Sequence, residues 1–199
     1  MELGSITMGM VYLVHSDVSR PMLTTSMNGS RYFLTFINDY SRYCWMYFLK
    51  KKSKVFETFK IVKSLAENTL KKNIKAHRSY NGGEYIKREF QHLCASAGIQ
   101  MQHSVPYTPH QNGVAKRKNK SLKEMATCLI EARNMPPYMR DEAVNCASYI
   151  HNRVPHKLVI GSTPFEAFIG HKPNVSYLEF FGSKEWAKIP TNKRKSFQA

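Results

Sequence analysis

The sequence predicts a mixed α/β domain: a five-stranded sheet whose first three strands run antiparallel, with helices on both faces. Three observations carry this. Three short apolar runs come first, joined by tight turns. Segments with helical periodicity then alternate with two more strand-like runs. Finally, 199 residues with 42% hydrophobic and 12% aromatic content are enough to bury the core of one domain.

Tyr12–Val18 is a short β-branched run and reads as the first strand. Met22–Ser30 is turn-rich and carries Asn28-Gly29, a hairpin signal. Arg31–Asn38 and Tyr43–Leu49 follow, separated by Asp39-Tyr-Ser-Arg42; their unbroken apolar character implies burial on both faces. From Ser53 to about Leu70 the period changes, with Val55, Phe56, Phe59, Val62 and Ala66 on one helical face. Ile74–Arg78 reads as a strand region that Tyr80 ends. Asn81-Gly-Gly83 is a turn, and Glu84–Ala97 a helix closed by Gly98. Ile99–His103 is the last strand, and Val105–Gly113 a loop.

Val114–Arg133 is strongly helical. Leu122, Met125, Ala126, Leu129 and Ile130 share one face, while Lys116, Lys120 and Lys123 stack on another. Pro136-Pro137 ends it, and Tyr138–Asn152 is a further helix. Thr163-Pro-Phe-Glu166 is a capping box opening a short helix to Gly170. The order β-β-β-α-β-α-β-α is that of a ribonuclease H-like fold. The division expected is a lead at residues 1–11, a core at 12–170 and an irregular basic tail at 171–199.

Thirty Lys plus Arg oppose fourteen Asp plus Glu, a formal net charge of +16. Such an excess favours a polyanionic partner through phosphate neutralisation and counterion release. No apolar run approaches bilayer length and no signal-peptide pattern opens the chain, so a soluble intracellular protein is expected. Cys44, Cys94, Cys128 and Cys146 lack zinc-site spacing and read as reduced core residues. Trp45 and Trp186 read as packing residues.

Three short segments carry the chemistry: His15-Ser-Asp-Val18, Arg78-Ser-Tyr-Asn-Gly-Gly-Glu-Tyr85 and Pro109-His-Gln-Asn-Gly-Val-Ala-Lys-Arg-Lys-Asn119. With Arg31-Tyr-Phe-Leu-Thr-Phe-Ile-Asn-Asp-Tyr-Ser-Arg-Tyr43 and Pro164-Phe-Glu-Ala167, they resemble the integrase catalytic core of copia-type retrotransposons from about Tyr12 to Pro190. The resemblance implies metal-dependent DNA strand transfer, Mg²⁺ or Mn²⁺ as cofactor, DNA as partner and a possible homodimer. It also implies three catalytic acids. Asp17 matches the first; Tyr80 stands where the family has the second Asp, and Lys116 where it has Glu. Arg20 replaces the Gly that usually precedes Pro21.

Two-metal phosphoryl transfer needs converging carboxylates. An intact site brings a formal charge of −3, whereas Asp17 and Lys116 sum to zero. An ammonium about 4 Å from a divalent ion repels it by roughly 8 kcal/mol at an effective dielectric near 20. Glu84 lies beyond the turn glycines, Asp39 at the far end of a hairpin and Glu124 about 12 Å down the helix. None is placed to replace a lost ligand. The expectation is a catalytically inactive core, with any metal at Asp17 weakly held. DNA would be held through Lys116, Arg117, Lys118, Lys120 and Lys123. His103, His110 and Gln111 are possible substrate contacts. The alternative is a nucleic-acid-binding or relic protein with no enzymatic role.

Overall fold

The computed structural model describes residues 13–22, 24–104 and 112–184. Five strands form one sheet in the order β3-β2-β1-β4-β5: β1 (Leu13–Val18), β2 (Tyr32–Asn38), β3 (Cys44–Leu49), β4 (Ala76–Tyr80) and β5 (Gln100–Ser104). β1–β2 and β2–β3 pair antiparallel, while β4 pairs parallel with both β1 and β5. The predicted mixed sheet is therefore the observed one.

Among the described residues five α-helices flank the sheet: α1 (Val55–Leu70), α2 (Arg88–Ser96), α3 (Gly113–Ala132), α4 (Arg140–Arg153) and α5 (Pro164–Ile169). The continuous apolar character of β2 has a direct cause, because alternate side chains enter different cores. Leu34 and Phe36 pack with Val55, Phe59 and Val62 of α1 and with Phe90 of α2. Ile37 meets Ala115 and Leu122 of α3 and Ala147 of α4, and Phe33 meets Ala126, Ala143 and Val144. Helices thus cover both faces of the sheet. α5 closes the β3 edge: Phe168 stacks on Tyr43 with ring centroids 4.6 Å apart and meets Trp45 edge-on at 4.9 Å. Trp45 is the packing residue the sequence suggested.

One helix boundary differs from expectation by a full turn. α2 begins at Arg88 rather than Glu84. Residues 82–85 instead form a turn in which Tyr85 N–H donates to the Gly82 carbonyl at 2.9 Å, and Tyr85 is fully buried. Burying the Tyr85 ring outweighs the weak helical propensity of the stretch. Cys128 is exposed rather than in a core, although all four cysteines are free as expected. Residues 171–184 hold no helix or strand, yet Phe181 packs against the α3–α4 core and Arg133 lies over the Phe180 ring. At α5, Thr163 Oγ1 accepts from Glu166 N–H at 3.1 Å, and Gly170 takes the left-handed φ of 94° that ends the helix. Of the predicted loop Val105–Gly113, Gly113 opens α3, and residues 105–111, with His110 and Gln111, lie outside the described residues. So do residues 1–12, Trp186 and Lys193-Arg-Lys195.

Candidate functional site

β1, β4 and α3 bring Asp17, Tyr80 and Lys116 to one cleft of about 1190 Å³. Asp17 sits near the end of β1, next to β4 in the sheet order, and Tyr80 is the last residue of β4. α3 reaches the same end because Asn112, fully buried just before it, donates from Nδ2 to the Ser16 carbonyl at 3.0 Å. Nearly two turns into the helix, Asn119 Nδ2 donates to Asp17 Oδ2 at 2.9 Å. Its Oδ1 accepts from Thr35 Oγ1 at 2.8 Å.

Burial pushes the Asp17 carboxyl up to about 6; the Asn119 amide and the charges of Lys116 and Lys52 oppose that shift, while Glu84 reinforces it. Glu84 is therefore part of this electrostatic site, a correction to its expected place beyond the turn. The turn at 82–85 folds it back, and the Tyr80 hydroxyl donates to Glu84 Oε1. Lys52 Nζ lies 3.8 Å from the same oxygen. Burial first, then the hydrogen bond to Glu84, raises the Tyr80 hydroxyl well above its usual range, so it remains a neutral donor. The Tyr80 ring lies so close over Gly82 that a Cβ there would collide with it. Only glycine permits that approach.

The basic segment splits into two faces. Lys116, Lys120 and Lys123 line the cleft with Asp17, joined by Lys52 and Arg20. Lys118 does not: it is 9% exposed and lines a separate cavity with Arg117. An α-helix advances about 100° per residue, which puts positions 116 and 118 on nearly opposite sides. Of the five cations expected to hold DNA, Lys116, Lys120 and Lys123 thus share the cleft, while Arg117 and Lys118 line the other cavity. Glu124 does line the cleft, 3.8 Å from Lys120 Nζ. Asp39 is engaged elsewhere, accepting from His15 Nε2 at 2.8 Å and pairing with Arg42 at 3.2 Å. His103 hydrogen-bonds Ser79 at 3.2 Å on β5 and does not line the cleft. Asn119, Asn112 and Lys52 were missed in the sequence. Asn119 had a signal, since it follows Lys116 by three residues and shares its helical face.

The donor set does not fit a pair of divalent ions. Among the described residues, no three His, Cys, Asp or Glu side chains form a group able to hold a metal. One Asp17 oxygen is occupied by Asn119, and Glu84 already accepts from Tyr80. The third corner presents an ammonium. Magnesium and manganese prefer carboxylate oxygen and are repelled by that charge. Nor is any helix among the described residues long and apolar enough to cross a membrane.

Comparison with known proteins follows the same lines. The Integrase core domain family model matches residues 12–109. The chain is 39% identical over 182 residues to the retrovirus-related Pol polyprotein from transposon TNT 1-94 of Nicotiana tabacum. It is 36% identical over 185 residues to that from transposon RE2 of Arabidopsis thaliana. Each alignment covers 92% of this chain but only 14% and 12% of those polyproteins. Among solved structures, a simian T-cell lymphotropic virus intasome in complex with PP2A regulatory subunit B56 gamma superposes with a TM-score of 0.65. That match has 19% identity and covers 96% of this chain and 65% of that one. The HTLV-2 integrase catalytic core domain in complex with magnesium, in a trimeric form, superposes with a TM-score of 0.59. It has 18% identity and covers 79% of this chain and 95% of that one. The chain therefore belongs to the retroviral-integrase-like family, as an integrase core domain of the copia type.

Proposed function

We propose that this core holds nucleic-acid phosphates in its cleft without performing metal-dependent strand transfer. The observation that carries the reading is Lys116 lining the same cleft as Asp17, at the position where the family resemblance implies a third acid. Lys120 and Lys123 extend its charge along one face of α3. Cations spaced one turn apart on a rigid helix suit a phosphate backbone, which contributes affinity but little sequence information. The HTLV-2 core is in complex with magnesium; the described side chains here include no group of three His, Cys, Asp or Glu able to hold a metal. Dimeric and trimeric forms of that core also motivate self-association of this chain, which sedimentation would measure.

The test is binding of a short duplex by fluorescence anisotropy across a salt series, run beside a strand-transfer assay with Mg²⁺ or Mn²⁺. Salt-sensitive binding, with strand transfer no greater than that of Asp17→Asn, supports the proposal. Strand transfer clearly above that control overturns it.

One observation favours a second reading, a rebuilt one-metal site. Glu84 lies near enough to Asp17 for its charge to raise the Asp17 carboxyl. Metal titration calorimetry separates the two: a saturable magnesium isotherm lost in Glu84→Gln would favour the rebuilt site.

A further inference from the structure

The second face of α3 leads to a different site. Arg117, Lys118 and Ser121 of α3 line a cavity of about 260 Å³ with Arg42, His151 and His156. Three segments of the chain thus bring three formal cations and two imidazoles together, and no carboxylate lines the cavity. Arg42 and Lys118 are 7% and 9% exposed. Gathering cations away from water is costly unless an opposite charge offsets it.

The delivery of Arg42 is rigid. It closes the β2–β3 turn at a left-handed φ of 60°, unusual for a residue other than glycine, asparagine or aspartate. Its N–H donates to the Asn38 carbonyl at 2.9 Å, and Asn38 Oδ1 accepts from Ser41 N–H at 2.8 Å. Behind the cavity, Asp39 pairs with Arg42 Nη1 at 3.2 Å. Arg42 Nε is buried without a hydrogen-bond partner among the described residues. Lys118 reaches the same cavity from α3. Burial, then Lys118, holds both imidazoles below their ordinary range, so the two histidines and Lys118 sense one another.

We propose that this cavity is an anion site that takes a phosphate-type oxyanion between Arg42, Arg117 and Lys118. Guanidinium groups match the oxygens of a phosphate, and a lysine adds a point charge. The volume suits one or two phosphate groups rather than a stretch of duplex. Two sources share that chemistry: a small phosphorylated ligand, or one backbone phosphate of a bound strand.

Calorimetric titration of the full chain with sodium pyrophosphate tests it, in a background where Lys116, Lys120 and Lys123 are all changed to Gln. That background removes the α3 cations from the cleft, so failure of the cleft reading and failure of this one are separable. One saturable site is expected, weakened about tenfold or more by Lys118→Met and severalfold by Arg117→Gln, as loss of a charge-assisted contact implies. Arg117 is exposed, so its variant decides the matter if Lys118→Met fails to fold. Displacement of pyrophosphate by a short duplex identifies a backbone phosphate as the source, and absence of displacement a small ligand. No saturable site in the background protein, or affinities unchanged by both variants, overturns the proposal. So does equal suppression by chloride at matched ionic strength.

Discussion

Asn119 donates to Asp17 at 2.9 Å with one end of its amide and accepts from Thr35 at 2.8 Å with the other. A single buried side chain thus ties α3 to β1 and β2 at the mouth of the cleft. Removing it leaves the Thr35 hydroxyl and the Asp17 carboxylate without those partners. Asn119→Ala is expected to lower stability by about 1–3 kcal/mol, the cost of unpaired buried polar groups. Urea unfolding measures it. An unchanged midpoint would show that water replaces the amide freely.

Asp17 sets a pH dependence. Its folded carboxyl titrates near 6 against an ordinary value of 3.8, chiefly through burial. The folded state therefore favours the protonated acid. Stability from this group is fully present below 3.8 and is lost as the pH rises through about 6, by an amount on the order of 2 kcal/mol. Asp17→Asn should remove that loss and be the more stable protein at neutral pH. Thermal melts of both proteins at pH 4 and pH 7.5 check this. A neutral-pH gain no larger than the gain at pH 4 would contradict it.

His77 acts in the opposite direction. It is fully buried between Phe59 and Phe90, with Ser16 Oγ 2.8 Å from Nε2. Burial lowers its pKa from 6.5 to about 3. Its contribution is present above 6.5 and is lost as the pH falls toward about 3. That window is wider than the one for Asp17, so acid unfolding should follow His77. His77→Phe should flatten the acid limb of the stability profile, at a cost of about 1 kcal/mol for the Ser16 hydroxyl left behind. An acid limb as steep as in the parent protein would point to other groups, His15 first.

Most of the scaffold was legible because periodicity reports burial, and β2 buries both of its faces. The cleft was legible only in part. Spacing alone puts Lys116, Lys120 and Lys123 on one face of α3, but what that face meets is set by the buried Asn112 and Asn119 amides. Those contacts span 96 and 102 residues, beyond any local pattern. Glu84 was misplaced for a related reason. The turn at 82–85 reverses toward Tyr80 because Tyr85 enters the core and Gly82 admits the Tyr80 ring. Neither fact is visible in a run that reads as the start of a helix.

The proposed loss of metal binding assigns the fault to the cleft's charge rather than to its scaffold. Tyr80→Asp together with Lys116→Glu changes the local formal charge by −3 and frees Glu84 from the tyrosine hydroxyl. Calorimetry with magnesium should then show saturable binding that is lost again on adding Asp17→Asn. No binding by a folded double variant would mean that the backbone at the cleft, and not only its side chains, is unsuited to the ions.

The cleft cations predict a salt dependence that can be counted. Each phosphate neutralised contributes about 0.9 to the slope of log K against log salt on duplex DNA. Lys116, Lys120 and Lys123 lie on one helical face, and all three are exposed. Changing all three to Gln should lower that slope by up to about 2.7 and weaken binding evenly across sequences, because phosphate contacts carry no base information. Lys60→Gln is the control, since Lys60 lies on α1, across the sheet from α3, and already pairs with Glu57 at 2.9 Å. Anisotropy titrations over several salt concentrations give both slopes. If the triple variant and the control lose slope equally, the positive charge acts diffusely and the cleft has no special hold on the strand.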